Sequence, residues 1–146
     1  MTTAAQIIPT PRPVQDTLLL VARVVLGVIF IAHGTQKFFE WTLAGTGQAF
    51  SEMGIPLPQV AATFAAVVEL GAGILLVLGL LTPLAAILTL IVTVGAWLLV
   101  HLPNGLFVAN NGWELVAALA LGSLVFVAVG PGRFSLDQLI TRRRAA

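Results

Sequence analysis

The chain has 146 residues, 58% hydrophobic and 9% charged, with a formal net charge of +1. Its mean hydropathy is +1.02, and since soluble domains carry about a quarter charged residues, a soluble globular fold is excluded. There is no cysteine, which excludes disulfide exchange, thiolate metal sites and thiol nucleophiles in this chain. No basic patch with interleaved aromatics speaks for nucleic acid.

Residues 1–17, MTTAAQIIPTPRPVQDT, are polar and proline-rich, and Pro9, Pro11 and Pro13 predict an extended, flexible lead-in. A cleaved signal peptide is not expected, because Arg12 is balanced by Asp16 and no small-residue cleavage site follows the long apolar run. Four spans follow, over about 18–39, 59–81, 84–101 and 112–129, each long enough for a core roughly 30 Å thick. Between Glu69 and Glu114 there is no Asp, Glu, Lys or Arg. Thr17 is a candidate N-cap for the first span. Pro83 separates the second span from the third, Pro103-Asn104-Gly105 ends the third, and Gly130-Pro131-Gly132 ends the fourth. Residues 18–130 thus read as one transmembrane domain.

The hairpin between the second and third spans is short, so those helices are antiparallel neighbours. In the longer loop after Glu40, Thr46 could cap a short helix closed by Gly54, with Ala49, Phe50 and Met53 as its apolar stripe at the membrane surface. Residues 131–146 form a basic tail in which Ser135 can start a helix, Arg133 and Asp137 can pair across one turn, and Arg142, Arg143 and Arg144 anchor the topology. Outside the spans the arginines gather on the side of the two termini. The opposite side has Glu40, Glu52 and Glu114, with Lys37 as its one basic residue. The positive-inside rule then puts both termini in the cytoplasm. The expected fold is all-α: an antiparallel four-helix bundle crossing the plasma membrane.

Arg23, His33, Lys37, Glu69, His101 and Glu114 lie inside or at the ends of these apolar segments. A charge in hydrocarbon costs roughly 3 kcal/mol or more, so each calls for a partner or a task. His33 and Lys37 are four apart and share a helix face. Counting along antiparallel helices gathers His33, Lys37, His101 and Glu114 at the outer mouth, leaves Glu69 near the midplane and puts Arg23 toward the cytoplasm. Glu69 calls for a cation from the first span. Arg23, stretched upward, is the easier partner by depth, and Lys37 is also in reach. Glu114 is expected to pair with Lys37 or His101. The plainer readings stand beside these: Arg23 snorkelling to the interface, His101 ending its helix, His33 bonding a neighbouring carbonyl, and Trp41 and Trp113 as interfacial anchors. Glu69 is the hardest of the set to read as inert. Two histidines beside charged groups are too few for a haem or metal to be the expectation.

Taken in order, Arg23-x3-Gly27-x5-His33-Gly34-x2-Lys37, Glu69 with Gly71 and Gly73, the turn Gly79-Leu80-x-Thr82-Pro83, His101, Asn111-Gly112-Trp113-Glu114 and Gly130-Pro131-Gly132-Arg133-x-Ser135-Leu136-Asp137 resemble the DoxX family of small bacterial membrane proteins. The family often has a second glycine and a tyrosine where this chain has Gly112 and Trp113. The resemblance implies a four-helix membrane protein. It also implies relatives that act as the membrane subunit of a thiosulfate:quinone oxidoreductase, or that join a superoxide dismutase to a sulfurtransferase at the membrane. On that basis the expectation is a quinone-facing subunit in thiol or sulfur oxidation or oxidative-stress defence, with His33, Lys37, Glu69, His101 and Glu114 catalytic. A quinone would be held by His33, Lys37, His101 and Trp113. Soluble redox enzymes would supply the electrons. The alternatives are a non-catalytic scaffold for such enzymes and a small transporter or lipid-binding protein, the transporter requiring a homo-oligomer.

Overall fold

The structure, a computed structural model, describes residues 11–144. Among these there is no strand. Six α-helices follow in order: α1 (Arg12–Thr35), α2 (Thr42–Glu52), α3 (Pro58–Leu78), α4 (Thr82–Ala96), α5 (Glu114–Val129) and α6 (Leu136–Arg144). α1 continues into a π-helical turn, Gln36–Glu40, and α4 into another, Trp97–His101. The helical stretches Arg12–Glu40, Pro58–Leu78 and Thr82–Asn104 are long and apolar enough to cross a membrane, whereas α5 has 16 residues.

The expected lead-in is helical from Arg12 onward, with Pro13 in the first turn. There its fixed φ suits the helix and its missing N–H removes nothing. The rest of the expected lead-in, residues 1–10, lies outside the described residues. Pro83 likewise sits in the first turn of α4, which starts at Thr82. α5 starts two residues later than its expected span, because Gly112 and Trp113 donate their N–H groups to the carbonyls of Phe107 and Gly105 in the preceding loop. α2 starts at Thr42 instead of being capped by Thr46. The Thr46 hydroxyl donates to the Thr42 carbonyl, and Thr46 and Gly47 form its buried face while Met53 is exposed.

Helices in lipid associate through small residues and polar contacts. α1 packs on α3 where Gly27 and Gly73 meet and where Gly34 lies against Leu70. A Cβ on Gly27 would come within 2.7 Å of the Gly73 carbonyl, and one on Gly34 within 2.5 Å of the Leu70 nitrogen. α3 turns into α4 through Gly79, whose φ of +66° lies in the left-handed region, followed by Leu81 at +49°. α4 packs on α5 around Ala85, Ala86, Ala117 and Ala120, with the hydroxyls of Thr89 and Ser123 3.0 Å apart in the centre. α5 only grazes α1, so the ring of four helices has one loose seam. Both ends of the described chain fall at one end of the bundle, hereafter the terminal end. α2 and the loop between α4 and α5 lie at the far end.

Candidate functional site

The polar groups divide between the two ends. At the terminal end, Arg23 is 1% exposed. Its Nη1 donates to the Pro131 carbonyl and its Nη2 to the Phe134 carbonyl, both at 2.8 Å. Gly79 leaves the room in which this guanidinium lies. The reading of Arg23 as a snorkelling residue is therefore corrected, and so is its pairing with Glu69. The segment after α5 folds back into the bundle end and offers its carbonyls to the guanidinium. Asp137 does not pair with Arg133. Its carboxylate accepts from the backbone N–H groups of Leu81 (2.8 Å) and Thr82 (3.0 Å), capping α4 from another helix, while its own N–H donates to the Gly79 carbonyl. Ser135 caps α6, accepting from the Gln138 N–H.

Toward the far end, the close approach of α1 to α3 brings Lys37 Nζ within 2.6 Å of Glu69 Oε2. The two residues are 9% and 8% exposed, and theirs is the only ion pair among the described residues. Glu69 lies about 16 Å along α3 from Pro58, half the thickness of a hydrocarbon core. Lys37 belongs to the π-helical turn, in which the Trp41 N–H donates to the Gln36 carbonyl five residues back. Such turns re-aim side chains and are frequent at functional sites. Trp41 lies over the ammonium with its ring centroid 5.9 Å from Nζ, in range of a cation–π contact. His33, one turn below Lys37 on the same helix face, is half-buried and has no hydrogen-bond partner among the described residues.

His101 and Glu114 are not paired with each other or with Lys37. Among the described residues no hydrogen bond or ion pair makes that link. His101 Nδ1 is 2.8 Å from the Asn111 carbonyl, and Glu114 Oε1 accepts from the Val108 N–H at 2.7 Å. The expected pairing of Glu114 is thus corrected: the loop 102–113 turns its backbone polar groups toward these two side chains. Trp113 stacks on Trp97 with centroids 5.2 Å apart. Trp97 Nε1 is buried and has no acceptor. Sequence reasoning missed Trp97, although it stands four residues before His101, the spacing that linked His33 to Lys37.

Among the described residues no group of three or more His, Asp or Glu side chains could hold a metal ion. The unused donors at this end, namely the remaining Lys37 N–H groups, Trp97 Nε1 and His33, suit a ligand rich in oxygen acceptors.

The DoxX family model matches residues 18–102. The chain is 36% identical over 134 residues to "Uncharacterized membrane protein Rv3486" of Mycobacterium tuberculosis, covering 85% of this chain and 82% of that protein. It is 36% identical over 137 residues to "Inner membrane protein YphA" of Escherichia coli, covering 87% and 91%. It is 34% identical over 124 residues to "Putative oxidoreductase CatD" of Bacillus subtilis, covering 85% and 86%. No solved structure matches the chain.

Proposed function

This chain belongs to the DoxX family and is a multi-pass plasma-membrane protein, and from that premise we propose that it is the quinone-facing membrane subunit of a redox complex linked to thiol or sulfur oxidation. The observation that carries the reading is the buried pair between Lys37 of a π-helical turn and Glu69 of α3, with an unpartnered histidine one turn away. The oxidoreductase in the name of the Bacillus subtilis relative agrees with it.

A quinone takes up two electrons and two protons at its carbonyl oxygens. The surplus of N–H donors at the far end fits such a pair of acceptors. Lys37 keeps N–H groups beyond the one directed at Glu69, and its charge would stabilise negative charge developing on an oxygen. His33 and His101 would each donate one of the two protons and be refilled from the aqueous side, while ionised Glu69 would hold the Lys37 ammonium in place. His101 and Trp113 would form the opposite wall, with Glu114 fixing the loop that carries Trp113. Without cysteine, electrons from thiosulfate would pass to the bound quinone through a soluble partner of sulfurtransferase type, a superoxide dismutase type partner belonging to the scaffold reading. α5 would be the fourth crossing. The arginines at positions 12, 133, 142, 143 and 144 would hold both termini in the cytoplasm.

The test is thiosulfate-dependent quinone reduction in membranes that carry the chain with its co-purifying partners. His33→Ala and Lys37→Met should each lower the rate about a hundredfold or more with the complex intact. Unchanged rates would overturn the reading. They would favour the second one, a non-catalytic scaffold, which draws support from His101 and Glu114 being engaged by their own loop.

A further inference from the structure

The loose seam between α1 and α5 is a groove of about 440 Å³ lined by Leu19, Ala22, Leu26, Ile29, Gly122 and Phe126. Directly below it, at the terminal end, lies a second cavity of about 460 Å³ with a polar lining that includes Arg12, Asp16, Arg133, Gln138 and Arg142. The two are stacked on the same helix faces. On α1, Arg12, Asp16, Leu19, Ala22, Leu26 and Ile29 recur at helical spacing; on α5, Gly122, Phe126 and Val129 do the same. Gly132, in the wall of the polar cavity, sits where a Cβ would be 3.2 Å from Leu19 of the apolar groove.

We propose that this seam is a binding site for one anionic phospholipid. Its phosphate would lie among Arg12, Arg133 and Arg142, and an acyl chain would fill the groove between α1 and α5. The charge is complementary, with three arginines facing one aspartate, and none of the three forms an ion pair among the described residues. Without a carboxylate partner, they offer forked donors suited to a phosphate. The length fits too. Leu19 to Ile29 spans about 15 Å of helix, half of a hydrocarbon core roughly 30 Å thick, so the groove has the height of one leaflet. Gly122 and Ala22 provide the width. The site is independent of the far-end chemistry, because neither cavity is lined by Lys37, Glu69 or His33.

Native mass spectrometry of the full chain in detergent, titrated with phosphatidylglycerol, phosphatidylethanolamine and glycerol phosphate, tests this. Phosphatidylglycerol is expected to bind one per chain, more tightly than phosphatidylethanolamine, with glycerol phosphate failing to compete. Arg12→Gln/Arg133→Gln/Arg142→Gln should weaken binding on the order of a hundredfold, about fivefold per arginine. Gly122→Leu should also weaken it. A Cβ there meets the Leu26 side chain at 3.4 Å; an unchanged melting temperature checks that the larger side chain keeps the fold, and Ala22→Leu at the exposed opposite wall is the second probe. Arg143→Gln, outside the cavity, should leave binding as it is. Equal binding of phosphatidylethanolamine would overturn the proposal, as would competition by glycerol phosphate, which would mark a site for a free anion. So would full binding by both groove variants, or a loss with Arg143→Gln as large as with the cavity arginines.

Discussion

The two ends of the bundle hold charges in apolar surroundings in opposite ways. At the terminal end, Arg23 is held by its own chain: two carbonyls of the segment after α5 accept from it and Asp137 binds the start of α4, although Arg23 Nε and Thr82 Oγ1 stay without a partner among the described residues. These are bonds to backbone, and backbone cannot leave. At the far end, Lys37 and Glu69 meet as side chains, and half-buried His33, one turn from Lys37, makes no hydrogen bond among the described residues. A buried charge held by backbone fixes a fold. A buried pair held only side chain to side chain can exchange protons or partners. The largest test of that contrast is Arg23→Met, which removes two charge-assisted hydrogen bonds and strands two carbonyls, and should destabilise by about 3–5 kcal/mol. Unfolding in detergent and faster proteolysis before Arg133 would report it. Arg23→Lys should recover less than half of the loss, because one ammonium cannot reproduce the fork.

The far-end pair should behave differently. Lys37→Met leaves Glu69 buried alone and should cost about 3 kcal/mol, whereas Lys37→Met/Glu69→Met replaces both charges by apolar groups and should unfold within about 1 kcal/mol of the parent. The comparison breaks if the double variant is as unstable as the single one, for then the pair holds the fold as Arg23 does. It sharpens if the double variant is stable and quinone reduction is lost.

The approach that makes the pair is tested by two glycines. Gly34→Ala would push a methyl into the Leu70 backbone, 2.5 Å away, and should destabilise by about 1–3 kcal/mol while moving Lys37 away from Glu69. At Gly71 a Cβ meets nothing within 4 Å, so Gly71→Ala should be neutral or stabilising by up to about 1 kcal/mol. Equal effects would show that the α1–α3 contact does not depend on Gly34.

Much of this arrangement is legible in the amino-acid sequence. Apolar runs and proline or glycine stops locate the helices, and the interval of four puts His33 and Lys37 on one face. That Glu69 calls for a cation follows from desolvation alone. Which cation does not follow. Depth counting puts both Arg23 and Lys37 in reach. The choice depends on a segment more than 100 residues away in sequence folding under α1, and no local pattern encodes that contact. The π-helical turns at Gln36–Glu40 and Trp97–His101 are equally hidden, because one extra residue per turn leaves no compositional trace. The motifs Gly79-Leu80-x-Thr82-Pro83 and Gly130 to Asp137 are visible as separate pieces of a resemblance. Their common cause is spatial: they meet around Arg23.

Asp137 is where that common cause makes its smallest and most specific prediction. Its two oxygens receive the N–H groups of Leu81 and Thr82, donors that the first turn of α4 cannot satisfy itself. Asp137→Ala removes this cap and should cost about 1 kcal/mol, the usual worth of a capping residue. Asp137→Asn keeps one acceptor oxygen and should cost roughly half as much. Hydrogen exchange at Leu81 and Thr82 should rise in both, and more in the alanine variant, while exchange around Lys37 stays unchanged. A simultaneous rise at the far end would mean that the two ends are mechanically coupled, so that the clamp around Arg23 also sets the geometry of the Lys37–Glu69 pair.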